Sequence, residues 1–240
     1  MQPFELSRIG GPHEGQPVIT EGPDPAKAAC ALILVHGRGA GAQDILGLGR
    51  EVTGALGRRD LLLFAPHAMR STWYPNRFME PEETNQPWLD SARQGLEFLL
   101  RYVTDRGMSP EKIFLLGFSQ GACLVSDVAA RNPRRYGGLF ILSGGLIGPA
   151  GTRFAYSGEM EGTPVLIGCS DVDPHIPVER VRETSRVLES LGARVDERIY
   201  PGMGHTVNAD ELGAIVEVIS VALTSPNPRP LPARDPAPDS

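Results

Sequence analysis

Lys112-Ile113-Phe114-Leu115-Leu116-Gly117-Phe118-Ser119-Gln120-Gly121-Ala122 places one serine between two glycines at the end of an unbroken apolar run. The run lacks the alternation of a half-exposed strand, so it reads as a parallel strand buried on both faces. Ala122 to Ala130 reads as helix. A strand that turns directly into a helix through Gly-x-Ser-x-Gly leaves the serine oxygen exposed at the tip of the turn. Glycine at both flanks removes side chains that would strike neighbouring backbone. The pattern alone arises by chance; its setting between strand and helix makes Ser119 a candidate nucleophile rather than an inert turn serine.

The same punctuation extends in both directions. Strands are expected at Pro17 to Thr20, Ala29 to Val35, Leu61 to Ala65, Leu139 to Leu142, Pro164 to Cys169 and Arg194 to Tyr200. Helices are expected over Ala42 to Leu56, Asp90 to Asp105, Val178 to Leu191 and Asn208 to Leu223, where apolar residues recur at helical spacing. Strands alternating with helices imply right-handed crossovers and an α/β fold, a mostly parallel central sheet with helices on both faces. Functional groups then belong in the loops at the C-terminal ends of the strands. About twenty residues separate Leu142 from Pro164, too few for a large lid domain.

With 240 residues, 41% of them hydrophobic, the chain has material for one self-supporting domain. Residues 1–28 read as an N-terminal segment with an edge strand and 29–223 as the catalytic body. Residues 224–240, with six prolines and few apolar side chains, read as a disordered tail. A formal charge of −6 argues against a nucleic-acid surface. The three cysteines form no C-x-x-C pair and read as buried thiols of a reducing, cytoplasmic compartment. No signal peptide and no membrane span is expected. An edge strand or helix face leaves room for a homodimer that would carry no sequence mark.

A serine hydroxyl attacks well only when a base removes its proton. In this architecture the acid and then the base follow the serine in the chain. His205, in Pro201-Gly202-Met203-Gly204-His205-Thr206, lies in the loop after the last strand and is the expected base. His175, the competitor, belongs to Ser170-Asp171-Val172-Asp173-Pro174-His175 and reads as a pocket-edge or surface residue rather than a base. That same loop should supply the acid that holds the imidazole tautomer. Asp173 is the first choice, and Asp171 is the alternative or a turn cap. The oxyanion needs preorganised donors. These are expected to be the backbone N–H groups of Gln120 and of Arg38, in His36-Gly37-Arg38-Gly39-Ala40. The Arg38 side chain is expected to salt-bridge locally or to meet an anionic substrate group. Trp73, Tyr74, Phe78, Met79 and Trp88 fill the long loop after Pro66 and are expected to wall a substrate pocket. No residue cluster has metal-ligand spacing, and the chemistry needs no cofactor.

Together these motifs resemble the α/β-hydrolase fold, and within it the phospholipase/carboxylesterase family that includes acyl-protein thioesterases. The resemblance rests on His36-Gly37-Arg38-Gly39, Gly117-Phe118-Ser119-Gln120-Gly121, Asp173-Pro174-His175-Ile176-Pro177 and Gly204-His205, and extends over roughly residues 30 to 222. It implies a Ser119–His205–Asp173 triad and an oxyanion hole of the Arg38 and Gln120 amides. Family thioesterases commonly carry leucine at the Arg38 position and aspartate at the Pro75 position, so this chain looks like a bacterial esterase branch. The implied activity is hydrolysis of small-molecule carboxylic esters, of short to medium acyl or aromatic type. The alternatives are an acyl thioesterase or lysophospholipase, and a catalytically retired binding protein on the same fold.

Overall fold

The computed structural model of the protein describes residues 4–224. Eight strands, numbered in chain order, form one sheet: β1 (Phe4–Glu5), β2 (Pro17–Glu21), β3 (Cys30–Val35), β4 (Leu61–Pro66), β5 (Ile113–Phe118), β6 (Gly138–Leu142), β7 (Pro164–Ser170) and β8 (Arg194–Tyr200). Their spatial order is β1-β2-β4-β3-β5-β6-β7-β8. β2 is antiparallel to both neighbours, and every pairing from β4 onward is parallel. This is the α/β-hydrolase fold. The helices are α1 (Ala42–Leu56), α2 (Trp88–Thr104), α3 (Gln120–Arg131), α4 (Val178–Ser190) and α5 (Ala209–Thr224). Among the described residues none is long and apolar enough to cross a membrane.

All residues of β3, β4, β6 and β7 are buried because both faces of the sheet are covered. Alternate side chains go to opposite cores. Cys30, Leu32 and Leu34 of β3 pack with α1 and α5, while Ala31, Ile33 and Val35 pack with α2 and α3. The sheet thus carries Ser119 at the end of a central strand, wedged between two helical layers.

The termini of the elements shift by only a residue or two from the sequence expectation. β1 had no local signal: two residues carry no periodicity, and Phe4 is held by contacts with Phe64, Phe98 and Tyr102. The long loop after β4 is not structureless, since Met69–Ser71 and Glu82–Asn85 form 3-10 turns. The connection from β6 to β7 contains no helix. The buried Arg180 of α4 donates to the carbonyls of Leu146, Gly148 and Pro149 at 2.6–2.9 Å and fixes that connection over the sheet. The expected proline-rich tail lies outside the described residues.

Candidate active site

The turn between β5 and α3 is tight. Ser119 has φ +55° and ψ −120°, an unfavourable conformation for a residue with a Cβ. A Cβ on Gly117 would fall 2.4 Å from the Gly121 carbonyl oxygen, and one on Gly121 only 2.1 Å from that of Val35. Both glycines are therefore required by backbone contact, and the close approach of α3 to the end of β3 brings two loops to the serine.

His205, on the loop after β8, reaches Ser119 Oγ through Nε2 at 2.8 Å and Asp173 Oδ2 through Nδ1 at 2.7 Å. The Asp173 side chain is fully buried. Its Oδ1 accepts from the N–H groups of His175 and Ile176 at 2.8 and 3.1 Å, leaving Oδ2 for the imidazole. Burial pushes the carboxyl up, but the His205 hydrogen bond and the two backbone donors outweigh it and hold the group below the usual carboxylate range. Asp171 instead accepts from Gly202 N–H at 2.8 Å, tying down the loop that bears His205. The His205 ring lies between Phe118 and His175, each with its centroid 4.9 Å away.

The loop after β3 closes the other side. A Cβ on Gly37 would lie 3.2 Å from Ser119 Cβ, and Gly39, at φ +79°, donates to Ser71 O. The Arg38 N–H has no hydrogen-bond partner among the described residues. The Gln120 N–H is the first of α3 and has no helical acceptor.

The Arg38 guanidinium makes no salt bridge among the described residues. It donates to the carbonyls of Tyr74, Pro75 and Asn76 at 3.0, 2.6 and 2.5 Å, so its role here is to hold a loop. The Gln120 side chain grips the same loop, accepting from Trp73 N–H at 2.9 Å and donating to Tyr74 O at 2.8 Å. Arg38 and Gln120, the two expected oxyanion donors, are thus cross-braced through their side chains to residues 73–76. No local sequence signal marks either clamp.

A cleft of about 790 Å³ opens at Ser119, with Tyr74, Phe78, Cys123 and Ile176 on its walls and Arg38, Arg77 and Glu80 among its polar lining. Of the five residues expected to wall it, Tyr74 and Phe78 do so, while Trp73, Met79 and Trp88 are not part of its lining. Trp73 is buried because its indole N–H donates to His36 O at 2.8 Å and its ring packs on His36. Met79 packs on the core, and Trp88 packs edge-on against His13. His13 and His36 were invisible as functional support in the sequence. Each donates through one ring nitrogen, to Trp73 O and Gly37 O, and accepts a backbone N–H, of Met69 and Ala68, at the other. Burial lowers the basicity of both, of His36 to about 4, which suits neutral imidazoles bracing the loop.

Behind His205, Asn208 and Glu211 cap α5 reciprocally: Glu211 Oε2 accepts from Asn208 N–H at 2.8 Å, and Asn208 Oδ1 from Glu211 N–H at 2.9 Å. Glu211 is fully buried, its Oε1 lacks a partner, and burial raises its carboxyl to about 7. A raised folded-state value means that its stability contribution is complete below pH 4.5 and is lost as pH climbs to about 7. Ionisation at alkaline pH then costs on the order of 2–3 kcal/mol. Glu211→Gln is expected to gain roughly that much in urea unfolding relative to wild type at pH ~8.5, and little at pH ~4.5. A gain equal at both values would show that Glu211 does not titrate there.

Comparison with known proteins gives a consistent picture. The model of a family described as phospholipase/carboxylesterase matches residues 14–223. A crystal structure of a phospholipase/carboxylesterase from Dyadobacter fermentans is 36% identical, with TM-score 0.80, covering 90% of this chain and 98% of that one. Acyl-protein thioesterase 1 of Kluyveromyces lactis is 34% identical over 138 residues, which are 56% of this chain and 60% of that protein. A probable carboxylesterase of Oryza sativa is 31% identical over 149 residues, 60% of this chain and 56% of that protein. The matched region thus spans less than two thirds of these curated relatives' length.

Proposed function

The chain belongs to the phospholipase/carboxylesterase family, and on that premise we propose that it is a serine hydrolase of carboxylic esters, acting on short to medium acyl or aromatic esters. The observation that carries this reading is the continuous hydrogen-bonded chain from Ser119 Oγ through His205 to a buried carboxylate, facing an open cleft.

In the proposed mechanism Ser119 Oγ attacks the ester carbonyl as His205 Nε2 takes its proton. Asp173 fixes the Nδ1–H tautomer and stabilises the imidazolium. The carbonyl oxygen becomes negative and accepts from the Arg38 and Gln120 amides, whose loops are already braced, so the donors need not reorganise as charge develops. His205 then gives its proton to the leaving alcohol. Water, deprotonated by the same imidazole, attacks the acyl-enzyme and restores Ser119. A thioester would use the same steps with a better leaving group. The free, buried cysteines are compatible with a reducing cytoplasmic setting.

Matched p-nitrophenyl esters and acyl thioesters of graded chain length test the substrate reading. Turnover should peak on short oxygen esters, because the cleft walls combine Tyr74, Phe78 and Ile176 with Arg38, Arg77 and Glu80. A peak on long-chain thioesters would replace this reading with that of an acyl thioesterase.

A further inference from the structure

A second depression, of about 450 Å³, shares His205 with the cleft at Ser119 and is used by nothing described so far. It runs from His205 and Phe118 between α1 and α5, over Ile45, Leu48, Val207 and Leu212. Of these, Leu48, Phe118, Val207 and Leu212 remain partly exposed while packing on the core beneath. Its outer wall carries Asp44 and Glu51, and no lysine or arginine lines it. Neither carboxylate is paired with a cation among the described residues. The adjacent cation, Arg50, is drawn away to Glu21. Asp44 Oδ2 accepts from the Gly41 N–H at 2.7 Å.

We propose that this groove is the leaving-group subsite, and that it takes alcohols with an apolar body and a cationic, ammonium-type end. The inference rests on the hydrolase reading above and adds the identity of the alcohol. The tetrahedral intermediate has two arms to place. Its oxyanion is assigned to the Arg38 and Gln120 amides, and both of those residues, with Ser119, line the larger cleft. The leaving oxygen must lie against His205 Nε2, which protonates it. His205 lines both depressions, whereas Ser119, Gln120 and Arg38 line the larger alone. The acyl arm is accordingly assigned to the larger cleft, beside the oxyanion donors, and the alcohol arm to the smaller groove that His205 shares with it. A volume of this size suits a small organic group rather than a polypeptide. Two unneutralised carboxylates at its outer end favour a positive group there and repel a negative one.

Three butyrate esters of hexanol, bearing at the far end a trimethylammonium, a hydroxyl or a carboxylate, test this, with methyl butyrate as the reference. Relative to methyl butyrate, kcat/KM should favour the cationic ester over the carboxylate by about tenfold at low ionic strength, and less as salt is raised. Glu51→Lys should abolish or reverse that order. Leu48→Trp, which fills the groove, should lower all three hexyl esters about tenfold against methyl butyrate and keep the wild-type dependence on acyl length. An unchanged order in Glu51→Lys would overturn the proposal. So would a Leu48→Trp variant that alters acyl-length preference and spares the alcohols, because the groove would then hold the acyl arm. Calorimetric binding of 6-(trimethylammonio)hexanol separates this from the hydrolase reading. If methyl butyrate is not turned over, that reading falls, while binding that Leu48→Trp abolishes would still support the groove, and no binding would end it.

Discussion

Ser119→Ala is expected to lower ester kcat/KM by roughly 10⁴- to 10⁶-fold while the folded protein survives. The chemistry has no other route in the proposed mechanism: the hydroxyl oxygen is the atom that bonds to the acyl carbon, and no acyl-enzyme forms without it. What remains would come from the two amide donors and from substrate positioning. Stability should hold because, among the described residues, the hydroxyl's only side-chain partner is His205, and the strained backbone is imposed by its neighbours. The positive φ persists with alanine, so the change in unfolding free energy should stay within about 0.5 kcal/mol. Parallel thermal melts and turnover on p-nitrophenyl butyrate check both halves. Activity near wild type in a preparation free of contaminating esterase would remove Ser119 from the mechanism.

Gly121→Ala should have the largest effect on the fold. The new methyl would stand 2.1 Å from the Val35 carbonyl oxygen and 2.6 Å from that of His36, backbone atoms that cannot rotate away. Relief requires α3 to back off from the end of β3, at a cost of at least about 3 kcal/mol. The same displacement pulls the Gln120 amide away from the Arg38 amide, so catalysis should fall with stability. Gly47→Ala is the control. It lies in α1 with nothing within 4 Å of the added carbon, and is expected to gain about 0.5–1 kcal/mol from helix propensity. Urea denaturation of the two variants would check the contrast; equal stabilities would mean that the approach of α3 to β3 is looser than described.

Much of the fold was legible because the strands are covered on both faces. Ile113 to Phe118 and Cys30 to Val35 announce themselves as apolar runs, and α1 as a periodic stripe ended by Gly57 at φ +63°. Ser119, Asp173 and His205 were legible as candidates because each lies in a loop at the C-terminal end of a strand, and the structure brings the three together. The 3-10 turns were not, and of the expected cleft walls Tyr74 and Phe78 were legible while the inward turn of Trp73, Met79 and Trp88 was not. Trp73 turns inward because its indole finds the His36 carbonyl, and Arg38 turns along its own rim because three carbonyls converge there. Both depend on hydrogen bonds between residues more than thirty positions apart, which no local pattern of hydrophobicity records. Asp173 was the first choice in sequence and Asp171 the alternative or a turn cap. Their contacts differ accordingly, Asp171 accepting from Gly202 and Asp173 from His205.

The most direct test of the central claim is to treat the purified protein with a fluorophosphonate and map the adduct by peptide mass spectrometry. One phosphonyl group per chain on Ser119, lost in His205→Ala, is the expected result. An unlabelled protein, or an adduct on another residue such as Cys123, would contradict the assignment of Ser119 as the activated nucleophile.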